Sequence, residues 1–150
     1  METTEKTVIT IEITIEAPIE KVWKYWTKPE HIIKWNNASE DWHTPSAKND
    51  LRKGGSFVYR MEAKNGSMGF DFGGVFDEVI NHKYIENTLD DGRKVTVTFT
   101  DLGNAAKVVE SFEAEDTNPI EMQRGGWQNI LDSFKKYIVT NVDGPDVKGG

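Results

Sequence analysis

Apolar and polar residues alternate strictly near the start of the chain. Ile9, Ile11, Ile13 and Ile15 fall on one face, and Thr10, Glu12, Thr14 and Glu16 on the other. A period of two over residues 7–16 predicts a half-buried strand about 33 Å long. Pro18 then opens a short helix whose apolar surface is Val22, Trp23, Tyr25 and Trp26, and Pro29 opens a second through His31, Ile32 and Trp35. Residues 36–53 have little periodicity and read as a long surface loop carrying Trp42.

From Gly54 onward the pattern is that of an antiparallel meander. Phe57, Tyr59 and Met61 share one face, Asn65-Gly66 marks a hairpin, and Phe70, Phe72 and Phe76 point together beyond it. Gly73-Gly74 interrupts that strand and predicts a bulge or bend. Tyr84–Leu89 follows, then a strand with Val95, Val97 and Phe99 inward, then a sixth strand over residues 105–114. Near the C-terminus, Asn118-Pro119-Ile120-Glu121 reads as a helix start with an Asn cap. Trp127, Ile130, Leu131, Phe134 and Ile138 then recur at helical spacing to about Thr140. Residues 1–140 are expected to form one domain and residues 141–150, which lack an apolar pattern, a mobile tail. The expectation is an α+β fold: a curved six-stranded antiparallel sheet wrapped around a long C-terminal helix, with two short helices after the first strand.

Composition agrees with a sheet. The 150 residues hold 12 Ile and 12 Val against 4 Leu, with 13 Thr besides, and β-branched side chains suit a pleated surface. Net charge is −7, which opposes the counterion-displacing contacts that nucleic acid or anionic membrane requires. The chain has no cysteine, hence no disulfide, thiolate nucleophile or cysteine-ligated zinc. No apolar run approaches the ~18 residues of a membrane helix, and no secretory signal pattern is visible. A cytoplasmic setting without membrane insertion is expected.

Four segments carry a family resemblance: Ala17-Pro18-Ile19-Glu20-Lys21-Val22-Trp23, Gly54-Gly55-Ser56-Phe57, Asp91-Gly92-Arg93-Lys94-Val95 and the helix Gly126-Trp127-Gln128-Asn129-Ile130-Leu131-Asp132-Ser133-Phe134-Lys135. Together with the element order they resemble the START-like, SRPBCC or Bet v-like helix-grip superfamily. Within it they are most similar to the branch named after the C-terminal domain of the activator of heat-shock-protein-90 ATPase. The resemblance spans about residues 6–140. It implies a cavity between sheet and long helix, often suited to an apolar small molecule. The branch name implies instead a co-chaperone, with a heat-shock-protein-90 homologue as partner. Family co-chaperones also carry an N-terminal domain with an Asn/Trp/His-rich motif, whose spacing Asn36-Asn37 and Trp42-His43 do not reproduce.

Catalytic signatures are sparse. His31, His43 and His82 are far apart, and there is no zincin, P-loop or nucleophile-elbow motif. Asp41-Trp42-His43 could pair a carboxylate with an imidazole but reads first as a solvated loop. No metal site and no cofactor are expected. Glu110 stands out because Val108, Glu110 and Phe112 share a strand face. An inward carboxyl has a raised pKa or a partner, and Arg60, Arg93 and Arg124 are the candidate partners. It could anchor a ligand's polar group or, in a cyclase-like enzyme, act as acid or base.

The leading expectation is non-catalytic binding of a lipid-like, flavonoid-like or polyketide-like molecule. The expected lining is Trp26, Trp35, Phe57, Tyr59, Met61, Phe70, Phe72, Val97, Phe99, Phe112, Trp127 and Leu131, with Glu110 as polar anchor. Gly125-Gly126, two helix-weakening residues inside the long helix, are expected to allow a close approach by the sheet or a short helix.

Overall fold

The isoleucine alternation becomes β1 (Val8–Ile15), with Ile9, Ile11 and Ile15 buried and Ile13 packed on the core. The computed structural model describes residues 7–140, so the expected tail at 141–150 lies outside the described residues. After β1 come α1 (Ile19–Thr27), α2 (Pro29–Trp35), β2 (Trp42–Asn49), β3 (Ser56–Ala63), β4 (Gly69–Ile80), β5 (Tyr84–Leu89), β6 (Lys94–Asp101), β7 (Ala106–Glu113) and α3 (Ile120–Thr140). The strands form one antiparallel sheet in the order β1-β7-β6-β5-β4-β3-β2. The architecture is the expected α+β helix grip.

The sheet has seven strands where the pattern predicts six, because the stretch read as a loop contains β2. This is an edge strand bonded only to β3, and its register shifts between His43 and Ser46. Pro45 lies in that shift; a residue without an N–H fits an edge or a bulge and leaves no alternation to read. The bend expected at Gly73-Gly74 is displaced: β4 pairs regularly with β3 through both glycines, and the irregularity falls between Phe76 and Glu78. The glycines allow close approach instead, since a Cβ on Gly74 would run into the Thr88 carbonyl oxygen.

Helix α3 crosses the concave face and leans on β1, where Arg124 and Gln128 donate to the Thr10 and Glu12 carbonyls at 3.3 and 3.4 Å. Leu131, Phe134 and Ile138 form its fully buried stripe. Its start differs from the expected cap. The Asn118 side chain donates to Glu115 at 2.6 Å, while Gln123 Nε2 donates to the Asn118 and Glu115 carbonyls and its Oε1 accepts from the Glu115 N–H. Helices α1 and α2 close the end beneath the C-terminal half of α3. Trp26 and Trp35 meet edge-on with Phe134 at 5.0 and 4.8 Å, and Tyr25 stacks on His31, whose Nδ1 lies 2.8 Å from the Tyr137 hydroxyl.

The approach expected at Gly125-Gly126 does not occur, because an added Cβ would meet nothing within 4 Å at either position. Alanine there should therefore gain helix propensity without a clash. Gly125→Ala and Gly126→Ala should each raise stability by about 1 kcal/mol in urea unfolding, whereas Gly74→Ala should lower it. A loss at either helical position would mean that the notch is needed for packing.

Candidate functional site

The inner faces of β3 to β7 and the N-terminal half of α3 enclose a cavity of about 310 Å³. From β3, Phe57, Tyr59 and Met61 line it; from β4, Phe70, Phe72 and Phe76; from β5, Ile85 and Asn87. Val95 and Val97 of β6 and Glu110 of β7 form its floor, and Gln123, Trp127 and Ile130 face it from α3. Trp26, Thr27, Trp35 and Asn36 close the end under α1 and α2, beside Asn49 and Leu51, and Arg93 and Glu115 border it as well. The walls are mostly rings. Phe57 lies 5.3, 6.3 and 5.1 Å from Tyr59, Phe72 and Phe76, and Trp127 meets the edge of Phe72 at 6.1 Å. Phe70, 49% exposed, stands at the rim beside Trp42.

Ten of the residues expected at the site therefore border one cavity: Trp26, Trp35, Phe57, Tyr59, Met61, Phe70, Phe72, Val97, Glu110 and Trp127. Three do not reach it. Trp127 stacks flat on Phe112 at 3.8 Å and covers it, Phe99 is enclosed by the edges of Trp23 and Trp26, and Leu131 is fully buried in the core. Strand parity identifies the face a side chain shares but not the neighbour that covers it. Asn87 was open to the same parity argument, since it lies between the inward Ile85 and Leu89. Asn49 and Leu51 carried no such signal, because β2 itself was not visible.

Most polar groups at the walls are satisfied. The Trp35 indole donates to the Tyr25 carbonyl at 2.9 Å, Asn49 to the Thr27 carbonyl at 2.8 Å, and the Thr44 hydroxyl to the Asn36 carbonyl at 2.6 Å. Burial pushes the Tyr59 phenol up to about 12, against the pull of the Asn49 side chain. Glu110 differs. It is 8% exposed and flanked across the sheet by Ile11 and Val97. None of its candidate partners reaches it: Arg60 pairs with Glu62 and Asp71, Arg93 with Asp91, and Arg124 with Glu121. His43, in turn, faces Glu62 at 3.9 Å rather than Asp41. Among the described residues no group of three or more His, Asp or Glu is placed to hold a metal ion, and no helix is long and apolar enough to cross a membrane.

The profile of the family described as "Activator of Hsp90 ATPase homolog 1-like protein" matches residues 16–139. The chain belongs to this family. It is similar to the solution structure of the AHSA1-like protein from Aeromonas hydrophila, at 44% identity over 89% of this chain and 93% of that one, with a TM-score of 0.84. Protein Chr148 from Cytophaga hutchinsonii is 56% identical over 90% and 94% of the two chains, with a TM-score of 0.77. Protein CV1439 from Chromobacterium violaceum shares the fold at 24% identity, with a TM-score of 0.77 over 88% and 97%. No curated protein matches the chain.

Burial raises the Glu110 carboxyl to about 8, because a charge held there is cut off from water. The other titratable or charged side chains bordering the cavity are Tyr59, Arg93 and Glu115, and none contributes to that shift. The native chain thus keeps a proton that the unfolded chain releases, in a window from about 4.5 to about 8. This contribution to stability is complete below that window and is lost as pH rises through it, by about 1.4 kcal/mol per unit. Glu110→Gln is neutral throughout, so in urea unfolding the variant should gain on the parent by that amount per unit between about pH 5 and about pH 8. Parallel pH profiles would show that the carboxyl is ionised in the native state.

Proposed function

We propose that this protein binds a small apolar or aromatic molecule non-covalently between the sheet and α3, with lipid-like, flavonoid-like and polyketide-like compounds as the candidate classes. The observation that carries this reading is the pairing of a ring-walled cavity of about 310 Å³ with a buried carboxyl that no protein group engages. Ligand pockets begin near ~300 Å³ and combine apolar walls with a few placed polar groups. The ten cavity residues named above are the proposed contacts. Phe70 at the rim and the segment joining α2 to β2 form the proposed entrance.

The family description supports a second reading, a module that contacts a heat-shock-protein-90 homologue through its outer surface. The two readings place the important residues on opposite sides of the sheet. In an NMR titration with members of the three compound classes, the methyls of Ile85, Val95 and Val97 and the Trp127 indole should shift, and exterior resonances should not. Silence from every inward probe, with shifts on the exterior when a heat-shock-protein-90 homologue is added, would favour the second reading. Charge reversals on the outer face should then weaken that complex while cavity substitutions leave it intact.

A further inference from the structure

A negative charge on Glu110 would have only water to turn to. Its strand neighbours are apolar: Val108 and Phe112 along β7, Ile11 opposite on β1 and Val97 opposite on β6. From α3 the cavity is faced by Gln123, Trp127 and Ile130, none of them charged, while Arg124 of the same helix turns to the Thr10 carbonyl and to Glu121. Lys107 of β7 pairs with Glu12 on the outer face. Across the space, Arg93 is held by Asp91 at 2.9 Å and by the Glu113 carbonyl at 3.5 Å. Glu115 is engaged by the backbone and side-chain N–H groups of Asn118, and burial holds the Tyr59 phenol up at about 12, where it stays neutral. Among the described residues no cation therefore meets an ionised Glu110. The floor offers water one further anchor in Asn87, whose Oδ1 is buried and has no hydrogen-bond partner. At about 310 Å³ the space has room for several waters.

We propose, building on the reading of this cavity as a binding site, that Glu110 makes binding there proton-linked: the protein holds its guest while this carboxyl carries a proton and releases it when the carboxyl ionises and draws water onto the floor. Water that hydrates the charge and a guest that fills the cavity need the same volume, so each excludes the other. An apolar guest strips the carboxyl of that water, and a carboxyl left with neither water nor a cation keeps its proton. The relation is reciprocal: a guest that favours the protonated carboxyl is favoured by it to the same extent. Burial already raises this carboxyl to about 8 before a guest enters, and the guest raises it further. Affinity is therefore level well below that value and falls as pH rises through it, by as much as about tenfold per unit, and binding above it takes up a proton from solution. Gln or Leu at position 110 would hold a guest equally at any pH. The carboxyl thus adds a condition for release that a floor without a titrating group lacks.

The test titrates the neutral fluorescent probe N-phenyl-1-naphthylamine into the parent and into Glu110→Gln between about pH 6 and about pH 10. Parent affinity should be level up to about pH 7 and roughly tenfold lower at about pH 9, whereas Glu110→Gln should show no such fall. Calorimetry at about pH 9, in two buffers of different ionisation enthalpy, should show the parent taking up about one proton per probe bound. That measurement decides the matter by itself if the variant fails to fold. Level affinity in the parent with no proton uptake would overturn this inference and leave the cavity reading standing. An equal fall in parent and variant would place the titrating group elsewhere and overturn it as well. Tighter binding at high pH would overturn it by making the ionised carboxylate the binding form, and no probe binding at any pH would remove both proposals.

Discussion

A sheet of seven strands presents a concave face that a single helix is too narrow to cover, and the rest of the architecture follows from that mismatch. Six inter-strand gaps span about 29 Å, while a helix with its side chains is about 10–12 Å across. Helix α3 settles against β1, fixed by Arg124 and Gln128 on carbonyls of that strand. The C-terminal half of the remaining space is filled by Trp26 and Trp35 from α1 and α2, packed on Phe134. The N-terminal half is bordered instead by rings from β3 and β4 and by Trp127, and there the cavity persists.

That cavity is not cheap to maintain. At about 24 cal/mol per Å³, a dry void of this size would cost roughly 7 kcal/mol, a large part of the ~5–15 kcal/mol that keeps a domain folded. Water or a guest must therefore offset part of that cost in solution. Placing a carboxyl and an amide on the floor works in the same direction, since both are disfavoured until something hydrogen-bonds to them. The interior is thus tuned away from maximal stability at the positions that face the space. A structural core would put Leu or Val there.

Much of the fold was legible in the chain because one-sided burial imposes a period. The strict alternation at Ile9–Ile15, the inward Val95, Val97 and Phe99, and the helical recurrence from Trp127 to Ile138 each state a face directly. Edge strand β2 was not legible, because Pro45 and the register shift remove the pattern that a two-sided strand would show. Within the site, the inward direction of Glu110 followed from its neighbours Val108 and Phe112, while its lack of a partner depended on where three arginines fold. The flat stacking of Trp127 over Phe112 and the open space beside Gly125 and Gly126 are products of tertiary geometry that no local period encodes.

The central claim is that the space under α3 holds Glu110 in a proton-bearing state, ready to donate to a guest. Carbon-13 NMR of the labelled Glu110 carboxyl, followed from acid to alkaline pH, tests it directly. The account predicts a single titration with its midpoint near 8. A midpoint near the ordinary 4.5 would mean that the charge finds water or a cation in the native fold, and it would contradict the account.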